Sequence, residues 1–123
     1  MNTEQIAQRL VELCRKGEYD QAQVELYADD AVSIEPEGLP PEALGNAHGM
    51  EAIREKGRKF NESIEAMHGS SCSDPVVAGN WFSVSMRLDV TMKGMGRIDM
   101  SEICVYRVRD GKIVHEQFFY DVG

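Results

Sequence analysis

Asp110-Gly111, set between two runs rich in β-branched and aromatic residues, constrains this chain more than any other pair of residues. Asp-Gly in that setting is a strong hairpin signal, because glycine takes a positive φ without steric penalty. Residues 100–121, MSEICVYRVRDGKIVHEQFFYD, therefore read as two antiparallel strands. Side chains alternate between the faces of a sheet, so one residue more or less in the loop exchanges the faces of a whole strand. A two-residue loop groups Ile103 and Val105 with Val114, Glu116 and Phe118. A three-residue loop, Arg109-Asp110-Gly111 in a type I turn with Gly111 left-handed, instead groups Met100, Glu102, Cys104, Tyr106 and Val108 with Val114, Glu116, Phe118 and Tyr120. That second face is mostly apolar but carries two carboxylates, as the wall of a pocket would. The hairpin alone leaves open the other reading, in which Glu102 and Glu116 face water.

The rest of the chain supplies helices first and strands afterwards. Ile6, Ala7, Leu10, Leu13 and Cys14 recur at helical spacing over residues 3–16, and Gly17 stops the helix. A second short helix is predicted over 19–27, with Tyr19, Ala22 and Leu26 inward. A strand over 31–35 follows and ends at Pro36. Residues 36–47, rich in Pro, Gly and Glu, form the one long loop, and long loops in compact domains often cover sites. A third helix is expected over 49–66 on a stripe of Met50, Ile53, Phe60 and Ile64. Gly57 lies inside it, either because another backbone approaches closely or as a tolerated defect. Residues 68–78 make a weak strand broken at Asp74-Pro75. Residues 81–92 alternate cleanly, with Phe82, Val84, Met86, Leu88, Val90 and Met92 on one face and Ser83, Ser85, Arg87, Asp89 and Thr91 on the other. Lys93-Gly94-Met95-Gly96 is a hairpin loop. Three helices followed by antiparallel strands is an α+β pattern.

Composition narrows the function. A chain of 123 residues with 42% hydrophobic content is long enough for one domain with a real core. A net charge of -8 argues against nucleic acid or an anionic membrane as partner. The first ten residues lack the basic and apolar regions of a signal peptide, and no apolar run approaches a membrane span. Cys14, Cys72 and Cys104 are odd in number and far apart, which fits free thiols in a reducing cytoplasm. His48, His68 and His115 show no ligand spacing, so neither a metal nor a cofactor is expected.

The order of elements, Leu26-Tyr27-Ala28-Asp29-Asp30, then AVSIEP, GMEAIREKG and VYRVRDGKIVHEQFFYD, resembles the nuclear transport factor 2-like superfamily. It looks most like the SnoaL-like subgroup, which includes polyketide cyclases and has ketosteroid isomerases and limonene epoxide hydrolases as relatives. The resemblance spans nearly the whole chain and implies one domain over 1–123. It also implies a cone-shaped roll: three N-terminal helices packed in a strongly curved antiparallel sheet, with a deep apolar pocket at the open end. By likeness to the isomerases, Glu35 before Pro36 holds the place of their general base. Their oxyanion-hole positions fall at about Leu10 and Cys104, neither of which donates a strong hydrogen bond. By likeness to the epoxide hydrolases, Arg87-Leu88-Asp89 and Asn80 match an Arg-x-Asp pair and an Asn, while Ser33, Glu35 and Phe118 stand where their water is held. Both comparisons imply that Glu35, Arg87, Asp89, Glu102, Cys104, Glu116, Phe118 and Tyr120 look inward, and both favour the three-residue loop.

The candidate catalytic residues are thus Glu35, Glu102, Arg87 and Asp89, with Ser33, Met100, Cys104, Glu116, Phe118, Tyr120 and His68 lining a pocket for a small-molecule ligand. Glu102 and Glu116 are expected diagonally across adjacent strands, with Cβ atoms about 7–8 Å apart or somewhat less. Carboxylates so close and away from water cannot all ionise cheaply, so at least one should have a raised pKa. Such a group can move a proton at a carbon beside a carbonyl, as isomerases and cyclases require. The competing readings are an Arg87–Asp89–Glu network that only fixes the sheet, and a ligand-binding or accessory domain without catalysis. Cys104 reads as a small apolar filler, since no His is placed to activate it. Ile103, Val105, Ile113 and Phe119 on the opposite face predict a homodimer through the outer sheet.

Overall fold

The structure is a computed structural model that describes residues 1–40 and 43–121; residues 41–42 of the expected long loop and 122–123 of the expected domain lie outside it. Helix α1 (Thr3–Arg15) starts at a reciprocal cap, Asn2 Oδ1 accepting from the Gln5 N–H and Gln5 Oε1 from the Asn2 N–H, each at 2.9 Å. Its buried stripe is Ile6, Ala7, Leu10, Val11, Leu13 and Cys14. Helix α2 (Tyr19–Leu26) runs directly into strand β1 (Tyr27–Ile34), and the two-residue strand β2 (Ala47–His48) leads into helix α3 (Met50–Ser63). Strands β3 (Ile64–Cys72), β4 (Val76–Ala78), β5 (Trp81–Met92), β6 (Gly96–Arg109) and β7 (Lys112–Phe119) complete the chain. The result is the α+β fold expected, three helices against a curved, unclosed sheet in the order β2-β1-β7-β6-β5-β3, with β4 paired to β5.

Two features of this sheet depart from the sequence reading. Strand β1 pairs with β7 in parallel, so the sheet is antiparallel at every other junction only. Strands also begin earlier than expected: β1 at Tyr27 and β3 at Ile64, where the spacing predicts helix to 27 and 66. The Asp74-Pro75 break stands where expected, between β3 and β4.

The hairpin turn is the instructive difference. Arg109 pairs directly with Lys112, so the loop has two residues and not three, and Asp110 (φ 52°) and Gly111 (φ 75°) both take the left-handed conformation of a type I′ turn. That turn by itself would set Glu102 and Glu116 on opposite faces. It does not, because β7 carries one extra residue: Val108 pairs with Ile113 and Arg107 with His115, leaving Val114 as a bulge. Beyond the bulge Tyr106 lies opposite Glu116 and Cys104 opposite Phe118, so Glu102, Cys104, Tyr106, Glu116 and Phe118 share the inner face after all. Val114, expected inward, is the half-buried bulge residue without a partner, and Ile113, expected outside, is fully buried. The register also moves Glu102 two pairs along from Glu116 instead of one, so the two are not diagonal neighbours.

On β5 the alternation is as read, with Phe82, Val84 and Val90 buried on the inner face and Met86 opposite Glu102. Helices α1, α2 and α3 cover this face, and the core joins Leu10, Leu13, Leu26, Ile53, Phe82 and Ile113. Inside α3, a Cβ built on Gly57 would meet nothing within 4 Å. No backbone approaches there, and the glycine is a tolerated defect. Gly57→Ala should therefore raise unfolding stability by about 1 kcal/mol in urea titrations. A loss of stability would show that the helix needs the glycine.

Candidate functional site

The inner face of the sheet gathers three carboxyl groups around one ammonium. Glu35 follows β1, where its N–H donates to Asn46 Oδ1 at 2.7 Å and holds the strand end against the next segment. Glu102 comes from β6 and Glu116 from β7. The ammonium is Lys56, on α3. Gly49, at φ +87°, begins that helix and donates to Ala31 O at 2.7 Å, which pins the helix start to β1; its Cβ would come within 3.7 Å of Asp29 O. Two helical turns later the chain delivers Lys56 over the end of the same strand. Its side chain is 12% exposed and that of Glu35 7%. Lys56 Nζ donates to Ser33 Oγ at 2.8 Å, lies 3.4 Å from Glu35 Oε2, and sits 5.2 Å from the centre of the Phe118 ring.

Each carboxyl group has a different set of partners. Glu116 is buried and accepts from the Tyr27 hydroxyl. Glu35 Oε1 accepts from the Tyr120 hydroxyl at 3.4 Å, whereas Glu35 Oε2 is buried and has no hydrogen bond. Glu102 receives only the Cys104 thiol, at 3.4 Å. A thiol is a weak donor, so Glu102 is the least supported of the three.

The charges follow from those surroundings. Burial pushes the Glu102 carboxyl up to about 7; Glu35 and Glu116 add to this, while Cys104 and Lys56 oppose it. Desolvation, not the Glu102–Glu116 pair, is thus the leading cause, as the shifted register requires. Burial also raises Glu35, against the pull of Lys56 and Tyr120, and raises Glu116, against the hydrogen bonds of Tyr27 and Ser33. The Tyr120 hydroxyl is pushed up to about 12 by burial and by the charges of Glu35 and Glu102. Burial and Glu102 hold Cys104 well above the ordinary range, so it stays a thiol and fills space.

Of the residues singled out in the sequence, Ser33, Glu35, Glu102, Cys104, Glu116, Phe118 and Tyr120 come together. Met100 is half-buried on the same face opposite Leu88, one pair beyond Glu102. Arg87 and Asp89 do not join them. They lie on the outer face, where Arg87 Nε donates to Asp99 at 2.9 Å and Arg97 Nε to Asp89 at 3.0 Å, in exposed cross-strand ion pairs. Strand parity already placed them opposite Met86 and Leu88; the likeness to epoxide hydrolases pointed the wrong way. His68 is likewise outside, exposed in the β3 bulge, with Nε2 2.7 Å from Thr91 Oγ1. Two groups were missed. Lys56 falls on the α3 stripe between Ile53 and Phe60, and a lysine at an apolar position was the available signal. Tyr27 was assigned to a helix end and is the first residue of β1. Two shallow grooves, of about 520 Å³ beside Val24, Arg54 and Arg58 and about 630 Å³ beside Val11, Arg15 and Val77, contain none of the cluster residues.

The SnoaL-like domain family model matches residues 1–120. A Mesorhizobium loti protein designated a SnoaL-like polyketide cyclase is 36% identical over 98% of this chain and 100% of its own, with a TM-score of 0.89. A Xanthomonas campestris protein with a cystatin-like fold superposes at a TM-score of 0.81, with 21% identity over 99% of this chain and 92% of its own. A Catenulispora acidiphila protein with a ketosteroid isomerase-like fold, solved in complex with trimethylamine, gives 0.72 at 20% identity over 98% and 88%. The last two share the fold. No curated protein matches the sequence.

Glu102 carries a linkage consequence. Its folded pKa of about 7 lies above the ordinary value of 4.5, so the folded state binds the extra proton between those values. Stability from this group is complete below the lower value and is lost as pH rises through the upper one, by about 3 kcal/mol in all. Glu102→Gln keeps the shape and removes the titration. The variant should match the wild type at pH 5 and melt higher at pH 8. A variant that melts lower at pH 8 would show Glu102 to be a stabilising, ionised part of the scaffold.

Proposed function

The chain belongs to the SnoaL-like family, and on that premise we propose that it is a cofactor-independent acid/base enzyme of the isomerase or cyclase type, acting on a small, largely apolar compound that carries a carbonyl. The observation that supports this most is Glu102, a carboxyl group on the inner face whose pKa is raised to about 7. A group titrating there is half ionised at neutral pH, so it can take a proton and return it. In the reaction Glu102 removes a proton from the carbon beside the carbonyl, and the C–H electron pair moves onto the carbonyl oxygen as an enolate. The proton then returns to another carbon, or the enolate carbon attacks a second carbonyl and closes a ring, the π pair of that carbonyl moving onto its oxygen, which takes the proton back from Glu102. The developing oxyanion needs donors. Leu10 and Cys104 cannot supply them, but the Lys56 ammonium, with three hydrogens, stands among the carboxyl groups and can. Glu35 holds Lys56 and accepts from Tyr120, a positioning role.

Exchange of α-protons tests this. Acetophenone in D2O should lose its methyl proton signal faster with the protein than in buffer, with a rate rising through pH 7. Glu102→Gln should slow the exchange about a hundredfold or more. Ligand binding without exchange would favour the second reading, a binding or accessory domain, to which the missing donors on α1 and β6 already lean.

The same reading places the protein in the cytoplasm as a homodimer. Cys14, Cys72 and Cys104 are free thiols, in keeping with a reducing compartment. No helix among the described residues is long and apolar enough to cross a membrane. On the outer sheet face Ile103 and Phe119 pair across β6 and β7 at 47% and 48% exposure, and Trp81 is 43% exposed. Three large apolar side chains so exposed on one sheet face favour a partner with the same face. Sedimentation at micromolar concentration should give twice the mass of one chain, and Ile103→Lys should give a monomer. A wild type that sediments as a single chain would remove the dimer.

A further inference from the structure

Resting on the acid/base reading of the cluster, we infer that Ser33 is a positioning residue: backed by Glu116, it holds the Lys56 ammonium away from Glu35 and so keeps one ammonium hydrogen for the substrate's oxyanion. Ser33 is fully buried, so it touches no substrate itself. Two distances around Lys56 are inverted. Its Nζ lies 2.8 Å from the neutral Ser33 Oγ but 3.4 Å from the charged Glu35 Oε2. Ammonium–carboxylate hydrogen bonds ordinarily close to about 2.7–2.9 Å and are the stronger kind. Left to Glu35 alone, a side chain as long and flexible as lysine would take that shorter contact. A second pull draws it toward Ser33.

That pull comes from Glu116. Ser33 and Glu116 are direct partners in the parallel pairing of β1 with β7, both side chains are buried on the inner face, and the two are hydrogen-bonded. A hydroxyl has one hydrogen to give. Because the Ser33 oxygen accepts from Lys56, that hydrogen goes to the Glu116 carboxyl group, which the Tyr27 hydroxyl serves as well. A hydroxyl that donates to a carboxylate becomes a better acceptor in turn, so Ser33 passes part of the charge of Glu116 on to Lys56. The ammonium is thus suspended between two carboxyl groups, Glu35 directly and Glu116 through Ser33. It has three hydrogens, and Ser33 and Glu35 are its two polar partners among the described residues. The Phe118 ring, its centre 5.2 Å away, attracts the charge but is too distant to take a hydrogen. One hydrogen is left over. A close pair with Glu35 would instead engage both carboxylate oxygens and cancel the charge that an enolate needs.

Crystal structures and exchange kinetics of the wild type and two variants of the whole chain test this. In Ser33→Ala the hydroxyl is gone, and Lys56 Nζ should close to within about 3.0 Å of a Glu35 oxygen. Glu116→Gln keeps the shape and removes the charge behind Ser33, so it should move Lys56 the same way. For exchange of the acetophenone methyl protons at pH 7.5, Ser33→Ala should lower kcat about tenfold or more and leave KM within about twofold. A donor displaced by a fraction of an ångström fails the transition state and not the bound ketone. A serine that only fills space would leave that split absent. Lys56 at its wild-type distance in both variants, an unchanged kcat, or a loss carried by KM would each overturn the assignment. The acid/base reading fails separately. A wild type that exchanges no faster than buffer removes that reading, and the Lys56–Glu35 distances then decide alone whether Ser33 anchors the ammonium. Exchange by a wild type whose Lys56 stays unmoved in Ser33→Ala removes this inference and leaves the acid/base reading standing.

Discussion

Three carboxyl groups and one ammonium are enclosed by the same few elements, and the position of Lys56 decides whether that enclosure can fold. Isolated carboxylates out of water are costly, and each here is pushed toward its neutral form. Lys56 offsets part of this for Glu35 and, through Ser33, reaches toward Glu116. It does so from a helix whose capping residue, Gly49, is tied to β1 by one short backbone hydrogen bond. A loosened helix start would leave a buried ammonium and a buried carboxylate each without the other. Breaking such a pair is more damaging than never having had it.

The division of the sheet into two chemistries follows. Inside, polar groups are few, largely withdrawn from water and unevenly supported, Glu116 by Tyr27 and Glu102 by a thiol alone. Outside, β5 and β6 carry Arg87, Asp89, Arg97 and Asp99 as exposed pairs that lie across the strands. Pairs this exposed contribute little to stability. They keep the outer face of a long hairpin in water and leave the apolar outer surface to the opposite end, around Trp81, Ile103 and Phe119.

Much of this was legible because it depends on period. Helical spacing located the stripes of α1 and α2, and alternation gave both faces of β5 correctly. The inward sets of β6 and of β7 beyond Val114 were right for a reason that was wrong: past that point a three-residue turn and a two-residue turn with a bulge at Val114 have the same parity, while Ile113 and Val114 themselves were misread. A bulge leaves no composition signature, so only the turn chemistry could be read. For Arg87 and Asp89 alternation and family likeness disagree, and the strand's parity, which sets them outward from Met86 and Leu88, is what the structure follows. Lys56 is not legible from the apolar members of the α3 stripe, because a lysine among them reads equally well as a solvated residue at its edge. The parallel pairing of β1 with β7 has no local signal, since neither strand carries information about which direction its neighbour runs.

That pairing governs when the protein becomes itself. Strand β7 is the last in sequence, yet it lies between β1 and β6, with Tyr27 paired to Ile113 from the far end of the chain. Joining such distant segments carries a loop-closure entropy that no local contact repays in advance, and topologies built this way fold slowly. Until β7 docks, β1 and β6 are both open edges and could accept a foreign strand. Until then, too, Tyr27 and Glu116 remain in water, and Glu102 has no enclosed face to look into. On the ribosome, the cluster cannot exist before residue 119 has left the exit tunnel. Its carboxyl groups acquire their unusual acidity in one late step, as the final strand closes the gap.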